Sequence, residues 1–518
     1  MIKKHKINQK MINTVINFVL IFFIGLAILM SSWYVRQNSI YFFTDIARDF
    51  LLLEEIVAKK IVLIGPRASG MEGVFHGPLW LYLNLPAFLL GQGNPVTVGW
   101  FWVFLTILFL SAVFVVSSKI FTNKVGLLYI AMLSGFFIPH TYGLFNPHGA
   151  LITLPFFIFS LFHYFSSNKQ KFLTLHLFLA GIIIQFQMAV GVPLLLLSSF
   201  LTIKNSIKNK QLKHLYSYFI LLVPLSTFFL FELLHNFAQA RAALQFLSNK
   251  TDVEYFSYLK RAEQRVNLAI STGLYVFVNQ KLDFLNRLAG VVVSLELFSN
   301  YFKLKTRQKK IFQMTAYFYF GFYIISLIFN GMLLEHYWIV LLPLSYLMIS
   351  LILSSMKAVP QLIFVIIILV SSYFNGSEFI KNHKQAIGQI EDDWAFQNNL
   401  TQKIFSQNDD SFGYFLFTPD IYAYESKYAM SYASKKKSNK TASVYEKKPI
   451  TYLVIAPVPK ERPDILASEW KKNRVGIHRE ADELFKLPDE YIIEKYYLSD
   501  KEVSVPADPN INDWIHFR

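Results

Sequence analysis

Two acids and a base stand close together in the stretch Tyr41-Phe42-Phe43-Thr44-Asp45-Ile46-Ala47-Arg48-Asp49-Phe50. Asp45 and Asp49 are four residues apart with Arg48 between them, so a helix puts all three on one face. Such charges next to apolar sequence are costly unless paired or hydrated. A positioned carboxylate in this setting can take the proton from a hydroxyl that attacks an electrophile. The same pattern has a plainer reading: a helix start, with Asp45 as N-cap and an Asp45–Arg48 ion pair.

Further candidates follow. His76 precedes Gly77-Pro78 at the start of an apolar stretch. Its imidazole can donate to a phosphate, carry a proton or bind a metal; the plain alternative is an interfacial histidine among aromatic neighbours. Glu335-His336-Tyr337-Trp338 opens an apolar run. Trp and Tyr belong in an interfacial belt, whereas Glu335 and His336 at that depth are expected to face a cavity. Glu232 and His235, three apart on one helical face, have donors suited to a divalent metal; they serve equally well to anchor a helix end. Gln185 and Gln187 either line a cavity or, more simply, hydrogen-bond between helices.

These residues must be positioned by membrane helices. The chain has 518 residues, 54% of them hydrophobic and 16% charged, against roughly 25% charged in a soluble domain. Apolar runs recur from residue 14 to about residue 375, each long enough to cross roughly 30 Å of hydrocarbon. They predict about eleven transmembrane helices near 14–34, 96–118, 124–141, 149–166, 172–186, 189–203, 215–234, 284–302, 311–330, 336–355 and 359–375. A shorter stretch at 77–91, broken by Pro86, is expected to lie partly in the outer leaflet. The first apolar run is too long for a signal peptide and has no small-residue cleavage site, so it reads as an uncleaved helix.

Loop charge orients the bundle. With Lys3, Lys4, Lys6 and Lys10 inside, the predicted inside loops hold Lys119 and Lys124, then Lys169 and Lys171, then Lys204 to Lys213, then Lys303, Lys305, Arg307, Lys309 and Lys310, and finally Lys357. Acids gather in the predicted outside segments 35–95, 235–283 and 376–518. The N-terminus is therefore expected in the cytoplasm and the C-terminus outside it. The net charge of +16 is explained by those short loops, which argues against nucleic-acid binding. The absence of cysteine excludes disulfides, thiolate metal sites and a cysteine nucleophile.

Residues 1–375 thus form an all-α polytopic membrane module, and 376–518 a small extracytoplasmic α/β or α+β domain. The domain's strand-like runs are 412–417, 450–455 and 491–497, with helix-like stretches near 384–406 and 463–473. Lys435-Lys436-Lys437 reads as a solvated loop. Asn249-Lys250-Thr251 and Asn439-Lys440-Thr441 match glycosylation acceptors, a triplet that arises often by chance. There is no repeat at a fixed period.

Asp45-Ile46-Ala47-Arg48-Asp49, then His76-Gly77-Pro78-Leu79, Gly143-Leu144-Phe145-Asn146-Pro147-His148, Phe231-Glu232-Leu233-Leu234-His235-Asn236 and Glu335-His336-Tyr337 ahead of Leu342-Pro343 occur in an order, spacing and placement that resemble the membrane glycosyltransferases of the GT-C fold. The resemblance is to the branch with protein O-mannosyltransferases and lipid A aminoarabinose transferases, and it covers residues 1 to about 375. It implies inverting transfer of a sugar from a polyprenyl-phosphate carrier to a hydroxyl of a lipid, glycan or protein acceptor, on the outer face of a membrane, expected to be the bacterial cytoplasmic membrane. It implies first-loop helices along that surface. It makes Asp45 the general base, and Arg48, Asp49, His76, His148, Glu335, His336 and Tyr337 the substrate-binding set. Many relatives carry a second acid after the third helix, where this chain has Asn146-Pro147-His148. Some bind a divalent metal near the first-loop acid; His76, Glu232 and His235 are the donors here, and no metal is assigned. The competing reading is a transporter or flippase for a polyprenyl-linked lipid or glycan. Acids concentrated at the outer surface, with few inside the helices, argue against ion-coupled transport.

Overall fold

The structure is a computed structural model that describes residues 2–68, 73–248, 257–274, 295–296, 298–329, 331–407, 411–419, 422–436, 441–462 and 464–511. It divides into two compact units. The first comprises Met1–Trp33, Ile61–Asn84 and Trp100–Ile380; the second comprises Tyr34–Lys60, Leu85–Gly99 and Lys381–Arg518.

In chain order the helices that matter here are α1 (Ile2–Ser31), α2 (Thr44–Lys59), α3 (Leu79–Leu90), α4 (Pro95–Ile120), α5 (Asn123–Phe137), α6 (Asn146–Ser167), α7 (Gln170–Phe186), α8 (Met188–Lys208), α9 (Ser226–Leu234), α10 (Ala238–Ser248), α11 (Tyr258–Leu274), α12 (Thr306–Ile325), α13 (Glu335–Trp338), α14 (Leu342–Ser355), α15 (Ala358–Lys384), α16 (Trp394–Ser406) and α17 (Tyr424–Lys436). Among the described residues, seven helical segments are long and apolar enough to cross a membrane: Met11–Gln37, Pro95–Ile120, Asn146–Ser167, Met188–Lys208, Thr306–Ile328, Glu335–Ser355 and Ala358–Lys384. The protein is an integral membrane protein. The expected count of eleven is not reached among these residues, for identifiable reasons. Two expected spans, α5 and α7, are shorter apolar helices, and 284–302 lies mostly outside the described residues. The expected 215–234 span is a 3-10 segment, Leu212–Leu222, followed by α9 at a bend of 60°. Pro224, between the two, has no N–H to continue the ladder.

Polar side chains stitch the first unit together. Fully buried His176 on α7 bonds the Phe157 carbonyl of α6 through Nδ1 at 2.9 Å and Ser198 of α8 through Nε2. Tyr129 of α5 donates to the Pro343 carbonyl of α14 at 3.0 Å. Bonds of this kind hold helices together where lipid leaves no hydrophobic drive between them.

The second unit contains a five-stranded mixed sheet in the order β2-β1-β3-β5-β4. Its strands are β1 (Phe412–Phe417), β2 (Ala442–Val444), β3 (Ile450–Ile455), β4 (Glu483–Lys486) and β5 (Ile492–Tyr497). β1 pairs parallel with β2 and β3, while β5 pairs antiparallel with β3 and β4. The three longer strands match the sequence expectation; β2 and β4 are short edge strands that periodicity does not reveal. Strand side chains alternate between faces. Phe412, Tyr414 and Leu416 join one core with Leu400, Ile404 and Tyr452. Phe415 and Leu453 join a second core with Val475 and Tyr496. A strand covered on both faces must be apolar throughout, as Phe412-Gly413-Tyr414-Phe415-Leu416-Phe417 is.

The lysine run corrects the sequence reading. Lys435 and Lys436 end α17 rather than forming a loop, and cations in a last helical turn complement its dipole; Lys437 lies outside the described residues, as do Asn249-Lys250-Thr251 and the asparagine and lysine of the second triplet.

Leu400, with no exposed surface, sits in the first of the two cores. Leu400→Ala is expected to lower the local stability of the sheet by about 2–5 kcal/mol, read as faster hydrogen exchange across β1 and β3 in the full chain while α6 and α14 keep their protection.

Candidate active site

The second unit holds the first-loop acids. Helix α2 starts at Thr44, and its N-cap is Phe43, with no side-chain capping bond. Asp45 is therefore inside the first turn and is not the N-cap that the plain reading supposes, though the helix dipole favours its charge there. The expected ion pair does form: Arg48 Nη1 donates to Asp45 Oδ1 at 2.6 Å. Arg48 Nη2 reaches Asp49 Oδ1 at 3.3 Å. One guanidinium thus spans both acids, and the side chains of Arg48, Asp45 and Asp49 are 11%, 35% and 7% exposed. Asp45 is the more exposed of the two acids, and among the described residues its Oδ2 makes no hydrogen bond.

Asp49 differs. Burial raises its carboxyl pKa to about 7, against the attraction of Arg48. Its Oδ2 and the Arg48 Nε are buried without a hydrogen-bond partner, which favours the neutral acid. Burial opposes the Arg48 charge, yet Asp45 and Asp49 hold its pKa above the ordinary value.

Helix α2 is fixed by the rest of its own unit. Phe42 and Phe50 pack edge-on or tilted against Tyr428 of α17, with ring centroids 5.7 and 5.1 Å away. Phe42 also meets Trp394 of α16 at 5.1 Å. Glu54 accepts from Ser431 at 2.9 Å and pairs with Lys435 at 2.6 Å. Before the helix, Ser39 donates to Asp393, the N-cap of α16, whose side chain also accepts from Ala395 N–H at 3.3 Å. Burial pushes the Asp393 carboxyl pKa up.

The other sequence candidates belong to the first unit. His76 is buried in a short two-stranded turn: its N–H donates to the Pro66 carbonyl at 2.9 Å, and its carbonyl accepts from Gly65 N–H at 2.8 Å. Gly77 N–H then donates to the Gln185 carbonyl at 2.9 Å. A Cβ on Gly77 would collide with the Gln185 side chain, so the close approach requires glycine. Gln185 itself donates to the Pro224 carbonyl at 2.6 Å and to Thr227 at 2.9 Å, the interhelical role anticipated for it. At the same corner, Asn146 donates to the Phe186 carbonyl at 2.8 Å. The His76-Gly77 and Asn146-Pro147-His148 motifs are thus brought to one turn between α7 and α8.

His148 is 2% exposed, and its Nδ1 accepts from the Phe145 N–H at 3.2 Å, at the start of α6. Its Nε2 is buried without a hydrogen bond. Glu335, His336 and Tyr337 form the short helix α13, with the His336 and Tyr337 rings 4.2 Å apart. Glu232 caps α10, accepting from Gln239 N–H at 3.2 Å and Ala240 N–H at 3.3 Å. His235 stacks on Phe231 at 4.0 Å and bonds its carbonyl at 2.9 Å. Among the described residues, no group of three or more His, Asp or Glu side chains could hold a metal ion.

Sequence reading missed Arg261 and Arg265 of α11, 9% and 2% exposed. Arg261 donates to the Leu327 carbonyl at 2.8 Å, and Arg265 to the Phe329 and Gly331 carbonyls at 3.3 and 2.8 Å. Together they hold the segment that leads into Glu335. The available signal was two arginines four apart on an amphipathic stretch of a segment expected outside the membrane.

No family model matches the sequence, and no curated protein does either. Two solved structures share the fold. ArnT from Cupriavidus metallidurans bound to undecaprenyl phosphate aligns over 94% of this chain and 99% of its own, with a TM-score of 0.60 at 9% identity. ArnT from the same organism in the apo state aligns over 92% and 97%, with a TM-score of 0.59 at 9% identity. ArnT is a lipid A aminoarabinose transferase of the GT-C fold, and this chain has that fold along nearly its whole length.

Proposed function

We propose that the protein is an inverting glycosyltransferase that moves a sugar from a polyprenyl-phosphate carrier to an acceptor hydroxyl on the outer face of the membrane. The observation that carries this reading is the state of Asp45: one oxygen tied by Arg48, the other making no hydrogen bond among the described residues, on a partly exposed carboxylate. The shared fold of ArnT bound to undecaprenyl phosphate supports it.

In this reading the acceptor oxygen attacks the anomeric carbon while its proton passes to Asp45 Oδ2. The bond from the anomeric carbon to the phosphate oxygen breaks, its electron pair leaves on the carrier phosphate, and Asp45 later returns the proton to water. Attack from the face opposite the leaving phosphate gives inversion. Arg48 orients the carboxylate and balances its charge. His76, Glu335, His336 and Tyr337 are the proposed contacts of carrier or acceptor, with Asp49 and His148 positioning from within the protein. Residues 376–518 are proposed to lie outside the cytoplasm and to help shape the acceptor site.

The test is transfer of labelled sugar from polyprenyl-phosphate donors to a mixed acceptor extract, with purified protein in lipid. Asp45→Asn is expected to cut kcat at least about 100-fold, the lower bound for losing a general base, while carrier binding persists. Wild-type turnover in that variant would remove Asp45 from the chemistry. Movement of the carrier lipid across sealed vesicles, with no new glycosidic bond, would transfer the assignment to a flippase.

A pH signature follows from Asp49. Its pKa is raised in the folded protein from 3.8 to about 7, so the unfolded chain ionises first and folded stability falls as pH rises between those values. Above about pH 7 the full cost of ionisation is present. Asp49→Asn is expected to flatten the fall in melting temperature between pH 5 and 8, leaving the two proteins closest at pH 5; parallel curves would show that Asp49 is not a buried, raised acid.

A further inference from the structure

Helices α6, α8 and α12 of the first unit enclose a cleft of about 770 Å³. It lies at the Ser167 end of α6, whereas His148 lies near the Asn146 end. A 22-residue helix separates those ends by about 33 Å, so the cleft is far from the His148 corner. Phe162, Leu201, Met314 and Tyr317 line it, and Arg307 and Lys310 stand beside them on α12. Phe162 is 3% exposed and Met314 9%, while both cations are exposed.

The charge here is unusual for its position. Arg307 and Lys310 lie in the first turns of α12, which begins at Thr306 and has no acid in its first turn. A helix N-terminus favours anions and disfavours cations. Among the described residues no carboxylate pairs with Arg307 or Lys310. The Arg307 guanidinium lies over the Phe162 ring, 5.6 Å from its centroid, and its charge also acts on His163 of α6. Two cations with no carboxylate partner among the described residues, and a helix N-terminus, therefore place positive potential at one end of the cleft. All three enclosing helices are long and apolar enough to cross a bilayer, and the cleft lies toward one end of each, the depth at which a spanning helix meets the headgroups.

We propose that this cleft binds an anionic glycerophospholipid. The lipid phosphate sits against Arg307 and Lys310, and the upper acyl chain runs along Phe162, Leu201 and Met314. Charge complementarity selects the headgroup, and apolar depth selects a lipid over a free ion. This proposal and the transfer reaction proposed above do not depend on each other.

The experiment uses the full chain in lipid nanodiscs, with lipid retention read by native mass spectrometry. The probes are dioleoyl phosphatidylglycerol, dioleoyl phosphatidylcholine, undecaprenyl phosphate and inorganic phosphate. The double variant Arg307→Gln/Lys310→Gln is compared with wild type and with Lys208→Gln/Lys210→Gln, which removes the same charge elsewhere. Wild type and the Lys208/Lys210 variant are expected to retain phosphatidylglycerol equally. The Arg307/Lys310 variant should bind it about 10- to 30-fold more weakly, the loss expected for two cations near a lipid phosphate, with phosphatidylcholine unchanged. Equal phosphatidylglycerol binding by all three proteins would overturn the proposal. So would its displacement by millimolar inorganic phosphate, which marks a phosphate site, or a selective loss of undecaprenyl phosphate, which marks a carrier site.

Discussion

Inside a bilayer a peptide group that loses its helical hydrogen bond has no water to turn to, so each helix break must be repaired by a neighbouring side chain or backbone group. In the first unit four breaks meet at one place, the turn from α7 to α8. Gln185 donates to the carbonyl at Pro224, where the chain bends by 60°. Its own carbonyl takes the N–H of Gly77, just before α3, and the next carbonyl, that of Phe186, takes the Asn146 amide at the start of α6. One glutamine and one asparagine thereby hold the entry of α3, the entry of α6, the α7–α8 turn and the Pro224 bend. The His76 and His148 motifs adjoin two of these anchor points, so repairing the backbone also fixes where these side chains sit.

The second unit is governed by a different cost, that of burying charge. Arg48 is nearly enclosed, and a lone buried cation is expensive. Asp45 and Asp49 offset that cost together, but the two carboxylates are not equivalent. Asp49 lies deeper, where its ionised form is disfavoured and its pKa rises. Asp45 stays partly exposed and takes the shorter of the two Arg48 bonds. Four residues of sequence spacing thus produce two acids with separate tasks: one shields the cation from within, the other presents an oxygen outward. The packing of Phe42 and Phe50 on Tyr428, and the Glu54 contacts with α17, fix the helix that carries them.

Much of this was legible in the sequence, because hydrocarbon imposes long apolar runs and strands covered on both faces impose apolar blocks. The seven long helices and the three longer strands are signals of that kind, while the Asp45–Arg48 pair was legible from helical spacing. The bend at Pro224 was hidden because Leu212–Leu222 and α9 are equally apolar, so hydropathy runs through the break. The helix α17 was hidden because Tyr424-Glu425-Ser426-Lys427-Tyr428 mixes apolar and charged residues, and its core-facing side is clear only once Tyr428 and Met430 have partners. Arg261 and Arg265 were missed for a related reason. Their bonds go to backbone carbonyls beyond residue 325, and no local pattern announces a partner more than sixty residues away.

The identity of residue 48 gives the last step of the argument. A lysine would supply the same charge as a single compact point, able to approach one carboxylate closely and the other only by moving away from the first. The planar guanidinium reaches Asp45 through one terminal nitrogen and Asp49 through the other, so both contacts exist in a single side-chain conformation. The fork also fixes which oxygen of Asp45 is occupied, since Nη1 holds Oδ1 at 2.6 Å. Orientation of the second oxygen is then a consequence of arginine geometry acting over one helical turn. The positive charge stays beside the carboxylate in either protonation state of Asp49, because guanidinium does not release its proton in this range. A carboxylate with one oxygen tied to a cation and the other facing outward, in the first turn of a helix, is what this short stretch builds from three side chains and the backbone that spaces them.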